Sequence, residues 1–171
     1  MFLLSQVLVT LAVLLDLASF QFMKRQQVLL ALSLSTALTA IHFYLLDAMA
    51  GALLMAVASL RYLVFIKSQS KRLLIGFLLL NTVPPLVQLN ANYELYAVIG
   101  SILLTFGAFI RKQVVFRCVM MLGTVCWLIH NCYIGSPMAI VLESTFLVSN
   151  LIGLWRIYMK RKASKLKAEL K

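Results

Sequence analysis

Long apolar stretches, each about the length of a membrane-spanning helix, follow one another along almost the whole chain. A spanning helix needs ~20 predominantly apolar residues. Only 12% of the residues are charged, against about 25% in a soluble domain. We therefore predict an all-α membrane protein with seven transmembrane helices, at roughly 1–22, 26–46, 48–66, 73–90, 94–110, 114–134 and 137–159.

The charges between these stretches predict how the chain is oriented. Basic residues follow the first, third, fifth and seventh spans: Lys24, Arg25, Lys67, Lys71, Arg72, Arg111, Lys112 and the tail 160–171. The alternate turns hold Asp47, Glu94 and the sequence IGSP, without Lys or Arg. Since cytoplasmic loops are rich in Lys and Arg, the N-terminus is predicted to lie outside and the C-terminus in the cytoplasm. The tail is predicted to lie on anionic lipid headgroups.

The same distribution argues against other classes of protein. A net charge of +11 suggests nucleic acid in a soluble protein, but here the basic residues are divided among the turns, so no nucleic-acid partner is expected. Cys118, Cys126 and Cys132 show no CxxC spacing, which argues against a disulfide or metal framework. There is no phosphate-binding loop, nucleophile elbow or HExxH, so we expect no enzyme activity, cofactor or metal.

Two parts of the chain share a pattern half its length apart. The segment FMKRQ begins at Phe22 and FIRKQ begins at Phe109, while Ile41-His42 and Ile129-His130 also correspond. Arg61-Tyr62 and Trp155-Arg156 close the third span of each part. We predict two parallel three-helix repeats joined by one linker helix, with boundaries at 1–68, 69–92 for the linker, 93–159, and 160–171 for the tail. In transporters built this way the substrate lies between the repeats.

The whole chain resembles the bacterial inner-membrane YgjV family and, more distantly, the MtN3/SWEET and PQ-loop superfamily. Phe20-Gln21, before the first basic pair, stands where a Pro-Gln pair ends the first span in that superfamily. Trp127, the turn at Gly135 and the sequence NLIG from Asn150 resemble the pattern of its last two spans. The resemblance implies a 3+1+3 helix arrangement and a pathway for a sugar or small metabolite, lined by Trp127 and Asn150.

Two functions follow from these observations. The first is a small-molecule transporter of SWEET-like architecture, open to homo-oligomerisation through small residues. The alternative is a non-transporting accessory or sensor subunit that holds protein partners through its helices. The hinge proline of the superfamily is absent from both repeats, where Phe20 and Gly107-Ala108 stand instead, and this absence favours the alternative.

Ionisable side chains inside spans are costly and usually have partners. Asp16 and Arg61 each lie six residues before the basic end of a predicted span. At 1.5 Å per residue both are ~9 Å from the cytoplasmic face. Equal depth and opposite charge predict an Asp16–Arg61 ion pair, serving either as an inner gate or as a structural bridge between helices.

Four residues of the last two spans are the predicted substrate-binding residues: Trp127, His130, Glu143 and Asn150. Asn150 would bond a substrate hydroxyl or another helix, and Trp127 would stack on a sugar ring or simply pack. Glu143 beside a histidine would relay protons, although His42 and His130 also suit an interfacial role at helix ends. Their spacing offers no metal-binding i, i+4 pair.

Three further features bear on how the helices pack. Pro84-Pro85 interrupts the fourth span and predicts either a hinge or a fixed kink. Ala48, Ala52 and Ala56 form a small-residue ridge for packing within the chain or between subunits. Arg117 and Arg156 are predicted to snorkel to the cytoplasmic interface.

Overall fold

The computed structural model describes residues 1–19, 22, 24–68, 70–87, 89, 91–110 and 112–169. Several residues used in the sequence predictions lie outside these ranges: Phe20, Gln21, Met23, Arg111 and Lys171. The whole Phe20-Gln21 pair and one residue of each of the segments FMKRQ and FIRKQ are therefore outside the described residues.

The described residues contain seven helices, in agreement with the predicted number. They are α1 (Phe2–Ser19), α2 (Arg25–Tyr44), α3 (Met49–Lys67), α4 (Lys71–Val87), α5 (Glu94–Gly107), α6 (Gln113–Tyr133) and α7 (Pro137–Glu169). Five of them are long and apolar enough to cross a bilayer, namely α1, α2, α3, α6 and α7. The helices α4 and α5 are shorter than predicted, with 17 and 14 residues, so the all-α membrane class holds while seven full-length spans remain a prediction.

Two of the turns have the same backbone geometry. At the end of α2, Asp47 has φ 58° and the amide of Ala48 donates to the carbonyl of Phe43. At the end of α6, Gly135 has φ +66° and the amide of Ser136 donates to the carbonyl of Asn131. A left-handed residue followed by this bond is a common helix ending, and Pro137 then suits the first turn of α7 because it needs no amide donor there.

Six helices close into a ring, which we call the helix ring. Contacts between neighbours run in the order α1, α2, α3, α5, α6 and α7, and α7 contacts α1. The remaining helix, α4, lies outside this order and packs against α3 and α5. The contact that closes the ring, between α1 and α7, is the least extensive of these.

The two ends of the helix ring differ in charge. One end carries exposed lysines where helices begin or end: Lys24, Lys67, Lys71 and Lys112. We call it the basic end, and we call the opposite one the N-terminal end, since Ser5 and Gln6 of α1 lie there. The predicted orientation places the basic end in the cytoplasm. That orientation, the duplication and the 3+1+3 repeat remain predictions, although the matching turns at Asp47 and Gly135 are what duplication would leave.

Small residues bring the helices of the ring close together. Gly123 of α6 lies against Leu104 of α5, so that an added Cβ would come within 2.9 Å of the leucine side chain. Ala48 and Ala52 are buried in one apolar cluster with Leu54, Ala97 and Trp127. These two alanines are therefore used inside the chain, while Ala56 is exposed. Of the three alanines, only Ala56 is still predicted to be available for packing between subunits.

The double proline does not break α4 at its middle. The helix runs through Pro84 and Pro85 and ends at Val87, so the prolines occupy its last turn. Inside a helix proline removes one hydrogen bond and clashes with the carbonyl four residues earlier, and here the helix ends two residues after Pro85. Pro85 is fully buried, which fixes this end of α4 against its neighbours. A hinge at this place is not tested by the structure.

The basic tail continues α7 rather than forming a separate element. The helix extends without interruption from Pro137 to Glu169, and its apolar span covers Pro137–Ala163. At 1.5 Å per residue, 33 residues reach ~50 Å, which is longer than the ~30 Å hydrocarbon core of a bilayer. The last turns of α7 therefore extend beyond the membrane at the basic end.

Cysteine labelling tests the orientation. In a variant with Cys118, Cys126 and Cys132 replaced by serine, Asn92→Cys places one exposed thiol in the turn before α5, and Ser70→Cys places one before α4. A membrane-impermeant maleimide should label the Asn92→Cys protein in intact cells and the Ser70→Cys protein only after permeabilisation. The reverse pattern would invert the predicted topology.

Glycine substitution tests the close packing of α5 on α6. A Cβ at Gly100 would lie 2.8 Å from the Trp127 ring and 3.0 Å from the carbonyl of Gly123, whereas nothing lies within 4 Å of one at Gly76. We expect Gly100→Ala to destabilise the protein by about 1–3 kcal/mol through overpacking. Gly76→Ala should be neutral or stabilising by about 0.5–1 kcal/mol, because alanine favours helix. Thermal unfolding in detergent measures both, and equal shifts would contradict the packing described.

Candidate functional site

Four aromatic side chains fill the interior of the helix ring near its N-terminal end. We call them the aromatic site: Phe43 of α2, Tyr93 before α5, and Trp127 and His130 of α6. The Phe43 ring stacks on Trp127 with centroids 5.5 Å apart, and His130 meets both rings edge-on. Tyr93 approaches His130 at 6.0 Å. Because the backbones of α2 and α6 are not adjacent, these side chains meet across the interior.

Three buried polar atoms of the aromatic site have no hydrogen-bond partner. Trp127 and His130 are fully buried, with 1% and 0% of their surface exposed. Neither ring nitrogen of His130 makes a hydrogen bond, and neither does the indole Nε1 of Trp127. A buried polar atom left without a partner costs about 1–3 kcal/mol. Three such atoms on adjacent side chains mark a place where a hydroxyl-bearing molecule or water would be stabilised.

Two glycines allow the aromatic rings to pack this closely. A Cβ at Gly51 would lie 3.2 Å from Phe43 and 3.3 Å from His130. One at Gly100 would meet the Trp127 ring from α5. The interior is therefore closed at the aromatic site, and any molecule bound there has to separate the Phe43 and Trp127 rings.

The second histidine has partners on both nitrogens. His42 Nδ1 lies 2.9 Å from the carbonyl of Ser5, and its Nε2 lies 3.0 Å from Ser136 Oγ. A carbonyl only accepts, so Nδ1 donates to Ser5 and Nε2 accepts from Ser136. Gln6 adds a bond from the amide of Met138 to its Oε1. His42 thus joins α1, α2 and the start of α7, and the interfacial role predicted for it is replaced by a buried structural one.

The two carboxylates of the ring interior lie near each other. Asp16 of α1 is buried, and Ser35 of α2 lies beside it, with its hydroxyl donating to the carbonyl of Ala12. Glu143 of α7 interacts electrostatically with Asp16. In the described part of the chain no ion pair with Lys, Arg or His joins either carboxylate. Glu143 is also not bonded to His130, so the predicted proton relay between these two residues is not present.

Arg61 is bonded on the far side of α3 from Asp16. Its guanidinium donates to Thr105 Oγ1 of α5, and Asn81 of α4 donates to the same oxygen at 2.7 Å. Because α1 and α3 do not contact each other, the structure does not bring Asp16 and Arg61 together. Asp16 and Arg61 match in their depth along the helices, but their side chains face different neighbouring helices. The three side chains instead hold α4 against the α3–α5 contact.

Asn150 belongs to a different place from Trp127. Its Oδ1 accepts from Arg117 at 3.3 Å, and its Nδ2 donates to the carbonyl of Phe146. Arg117 is ten residues before Trp127 on α6, so Asn150 lies ~15 Å nearer the basic end. Arg117 therefore reaches a partner on α7 instead of only snorkelling. The four predicted substrate-binding residues are not joined into one site: Trp127 and His130 lie together, Asn150 is bonded to Arg117 instead, and among the described contacts none joins Glu143 to these residues.

Sequence reasoning missed several participants. Phe43 directly follows the His42 that the repeat pattern singled out, but an aromatic residue in an apolar span gives no signal of its own. Tyr93 precedes α5 in a turn, and Thr105 looks like any span threonine. Asn81 did carry a signal, as an amide inside an apolar stretch that needs a partner. Among the described residues no group of three His, Cys, Asp or Glu is placed to hold a metal ion.

Comparison with known proteins assigns the chain to a protein family. Residues 3–161 match the family model Imp-YgjV, described as a bacterial inner membrane protein. A curated relative from Escherichia coli (strain K12), the inner membrane protein YgjV, is 32% identical over 129 residues. The match covers 74% of this chain and 70% of that relative. No solved structure matches the chain.

Double-mutant analysis tests the separation of Asp16 from Arg61. Since the two side chains share no partner, the effects of Asp16→Asn and Arg61→Gln on the free energy of unfolding should add to within about 0.5 kcal/mol. Arg61→Gln and Thr105→Val, which remove the two partners of one hydrogen bond, should deviate from additivity by more than that. Coupling in the first pair and additivity in the second would contradict the arrangement.

Proposed function

The chain belongs to the YgjV family of bacterial inner membrane proteins, and we propose that it is a small-molecule transporter of that membrane. It is an integral inner membrane protein with several apolar helices. The proposed substrate is a sugar or another small, hydroxyl-bearing metabolite. The proposed architecture is SWEET-like, with α1–α3 and α5–α7 as the two repeats and α4 as the linker.

The observation that carries the proposal is the set of three unpartnered polar atoms in the aromatic site. His130 Nδ1 and Nε2 and Trp127 Nε1 are all buried without a hydrogen bond. Imidazole offers one donor and one acceptor when neutral, and indole offers one donor. A ligand with several hydroxyl groups can satisfy all three, whereas an apolar ligand leaves them unpaired. This chemistry favours a polyhydroxylated substrate.

The walls of the aromatic site suit the same class of ligand. Phe43 and Trp127 present ring faces that are 24° from parallel. Small-molecule binding sites combine such apolar faces with a few polar groups that fix the orientation of the ligand. Phe43 comes from α2 and Trp127 from α6, so a bound molecule would contact both proposed repeats. That is where transporters built from repeats hold their substrates.

The packing of the ring supports a state that is closed at the N-terminal end. There the aromatic site fills the interior, and α1 packs on α7 through Val9, Val13, Ala139 and Leu142. Nearer the basic end α1 and α7 separate, and a cavity of about 580 Å³ lies between them and α6. In the predicted orientation this is a carrier closed to the outside.

Tryptophan fluorescence tests the proposal, because the chain has two tryptophans. Trp155 is 62% exposed on the surface of α7, so Trp155→Phe leaves Trp127 as the reporter of the aromatic site. Titration with mono- and disaccharides, amino acids and nucleosides should change its emission for one class. Adding His130→Phe should weaken that binding about tenfold, the equivalent of one hydrogen bond worth ~1.4 kcal/mol.

The complementary variant is the control. Trp127→Phe, which retains Trp155, should show no response to the same ligand, and proteoliposomes with the wild-type chain should take that ligand up. Binding without uptake would separate recognition from transport. If no ligand alters Trp127 emission in protein shown to be folded, transport is contradicted, and the alternative of an accessory subunit that holds protein partners is favoured.

A further inference from the structure

The cavity at the basic end is a feature that the aromatic site does not explain. It has a volume of about 580 Å³ and is bounded by α1, α6 and α7. Leu17 lines it from α1, Gln113 and Arg117 line it from α6, and the remaining walls are formed by one stripe of α7. It lies ~15 Å from Trp127 along α6, so its occupant is distinct from any ligand of the aromatic site.

The cavity exists because α1 and α7 separate along their length. Val9 and Val13 pack on Ala139 and Leu142 in the half nearer the N-terminal end. Beyond these residues, Leu17 and Val148 face the cavity instead of each other, and both are exposed. The opening is thus a lateral cleft between two membrane-spanning helices, at the depth of the bilayer leaflet on the basic side.

The charged residues of the cavity all have the same sign. Arg117, Arg156 and Lys160 line it, and its walls contain no Asp or Glu. The described partner of the Arg117 guanidinium is the neutral amide of Asn150. An arginine held in place by a neutral group retains its charge and donors for an anion, and its planar fork suits phosphate.

The basic residues of the cavity lie at one end of it. Lys160 and Arg156 are nearest the basic end of α7, where headgroups lie. Deeper along α7 the apolar Ile152 and Val148 alternate with the hydroxyl-bearing Ser149 and Thr145, and Leu17 adds an apolar surface from α1. From Lys160 to Val148 the stripe covers twelve residues, or ~18 Å along α7, which accommodates a headgroup together with the upper part of an acyl chain.

We propose that this cleft binds an anionic phospholipid of the cytoplasmic leaflet, with the headgroup phosphate on Arg117, Arg156 and Lys160. The acyl chain runs between α1 and α7 along Leu17 and Val148. A soluble phosphate compound would use the same three basic residues, but it would leave the apolar part of a laterally open cleft uncovered. The charge complementarity and the apolar wall together therefore favour the lipid.

Lipid binding to the purified protein tests this proposal. Arg156 and Lys160 are exposed, so Arg156→Gln/Lys160→Gln removes two charges without disturbing the Arg117–Asn150 bond. The control is Lys71→Gln/Arg72→Gln, which removes two exposed charges at the basic end outside the cleft. Native mass spectrometry measures the binding of phosphatidylglycerol and phosphatidylcholine in detergent. We expect phosphatidylglycerol affinity to fall roughly tenfold or more in the cleft variant and little in the control.

Two further measurements distinguish a bound phospholipid from a soluble phosphate compound. Glycerol phosphate and inorganic phosphate should compete poorly with phosphatidylglycerol, and Val148→Ser/Ile152→Ser should weaken the lipid alone. Equal losses in the cleft variant and in the control would overturn the site, because attraction to the basic surface would then be general. Competition by glycerol phosphate at an affinity equal to that of the lipid would overturn the lipid in favour of a soluble phosphate.

Discussion

The hydrogen bonds of His42 close the helix ring, and the rest of the structure depends on that closure. Its two nitrogens bond Ser5 of α1 and Ser136 at the start of α7, the two helices that are farthest apart in the sequence. Within a bilayer the hydrophobic effect does not drive helices together, so packing and hydrogen bonds between them have to do so. Because α1 and α7 share the least extensive contact of the ring, these bonds determine where they meet and where they part.

A second polar lock attaches α4, which lies outside the ring. Thr105 of α5 accepts from both Arg61 of α3 and Asn81 of α4. The Phe65 ring of α3 adds edge-on contacts to Phe77 of α4 and Phe109 after α5. These contacts connect the two three-helix halves at the α3–α5 contact, while His42 connects them at the α1–α7 contact. The ring is thus fastened at both places where one half meets the other.

The sequence predicted the class of the protein better than it predicted the neighbours of each helix. The lengths of the apolar stretches predicted seven helices. The ends of several helices follow from glycine and proline, as at the turn through Gly135 and Pro137 between α6 and α7. Which side of a helix faces the interior could not be read, because lipid-facing and core-facing positions are both apolar here, as Leu14 and Val13 of α1 show. A soluble helix reveals its inner face by a polar outer one.

The same limit explains the separation of the candidate residues. Depth along a helix can be counted at 1.5 Å per residue, and on depth alone Asp16 and Arg61 match. The sequence does not show in which direction around the helix axis a side chain points. In the structure Asp16 points toward Ser35 and Glu143, whereas Arg61 points toward Thr105. Trp127 and His130 were found together because they are three residues apart on one helix, a spacing that puts side chains on one face.

The two proposed sites lie at different depths of the helix ring, and the α1–α7 contact relates them physically. The aromatic site is closed while Phe43 and Trp127 stack, and admitting a ligand requires these two rings to separate, which a movement of α2 relative to α6 would allow. Because α2 is bonded to α1 and α7 through His42, such a movement also changes the separation of α1 and α7. A lipid between these two helices at the basic end contacts both of them. Its affinity would therefore differ between the closed and open states of the aromatic site, and such a difference is the condition for coupling between two sites.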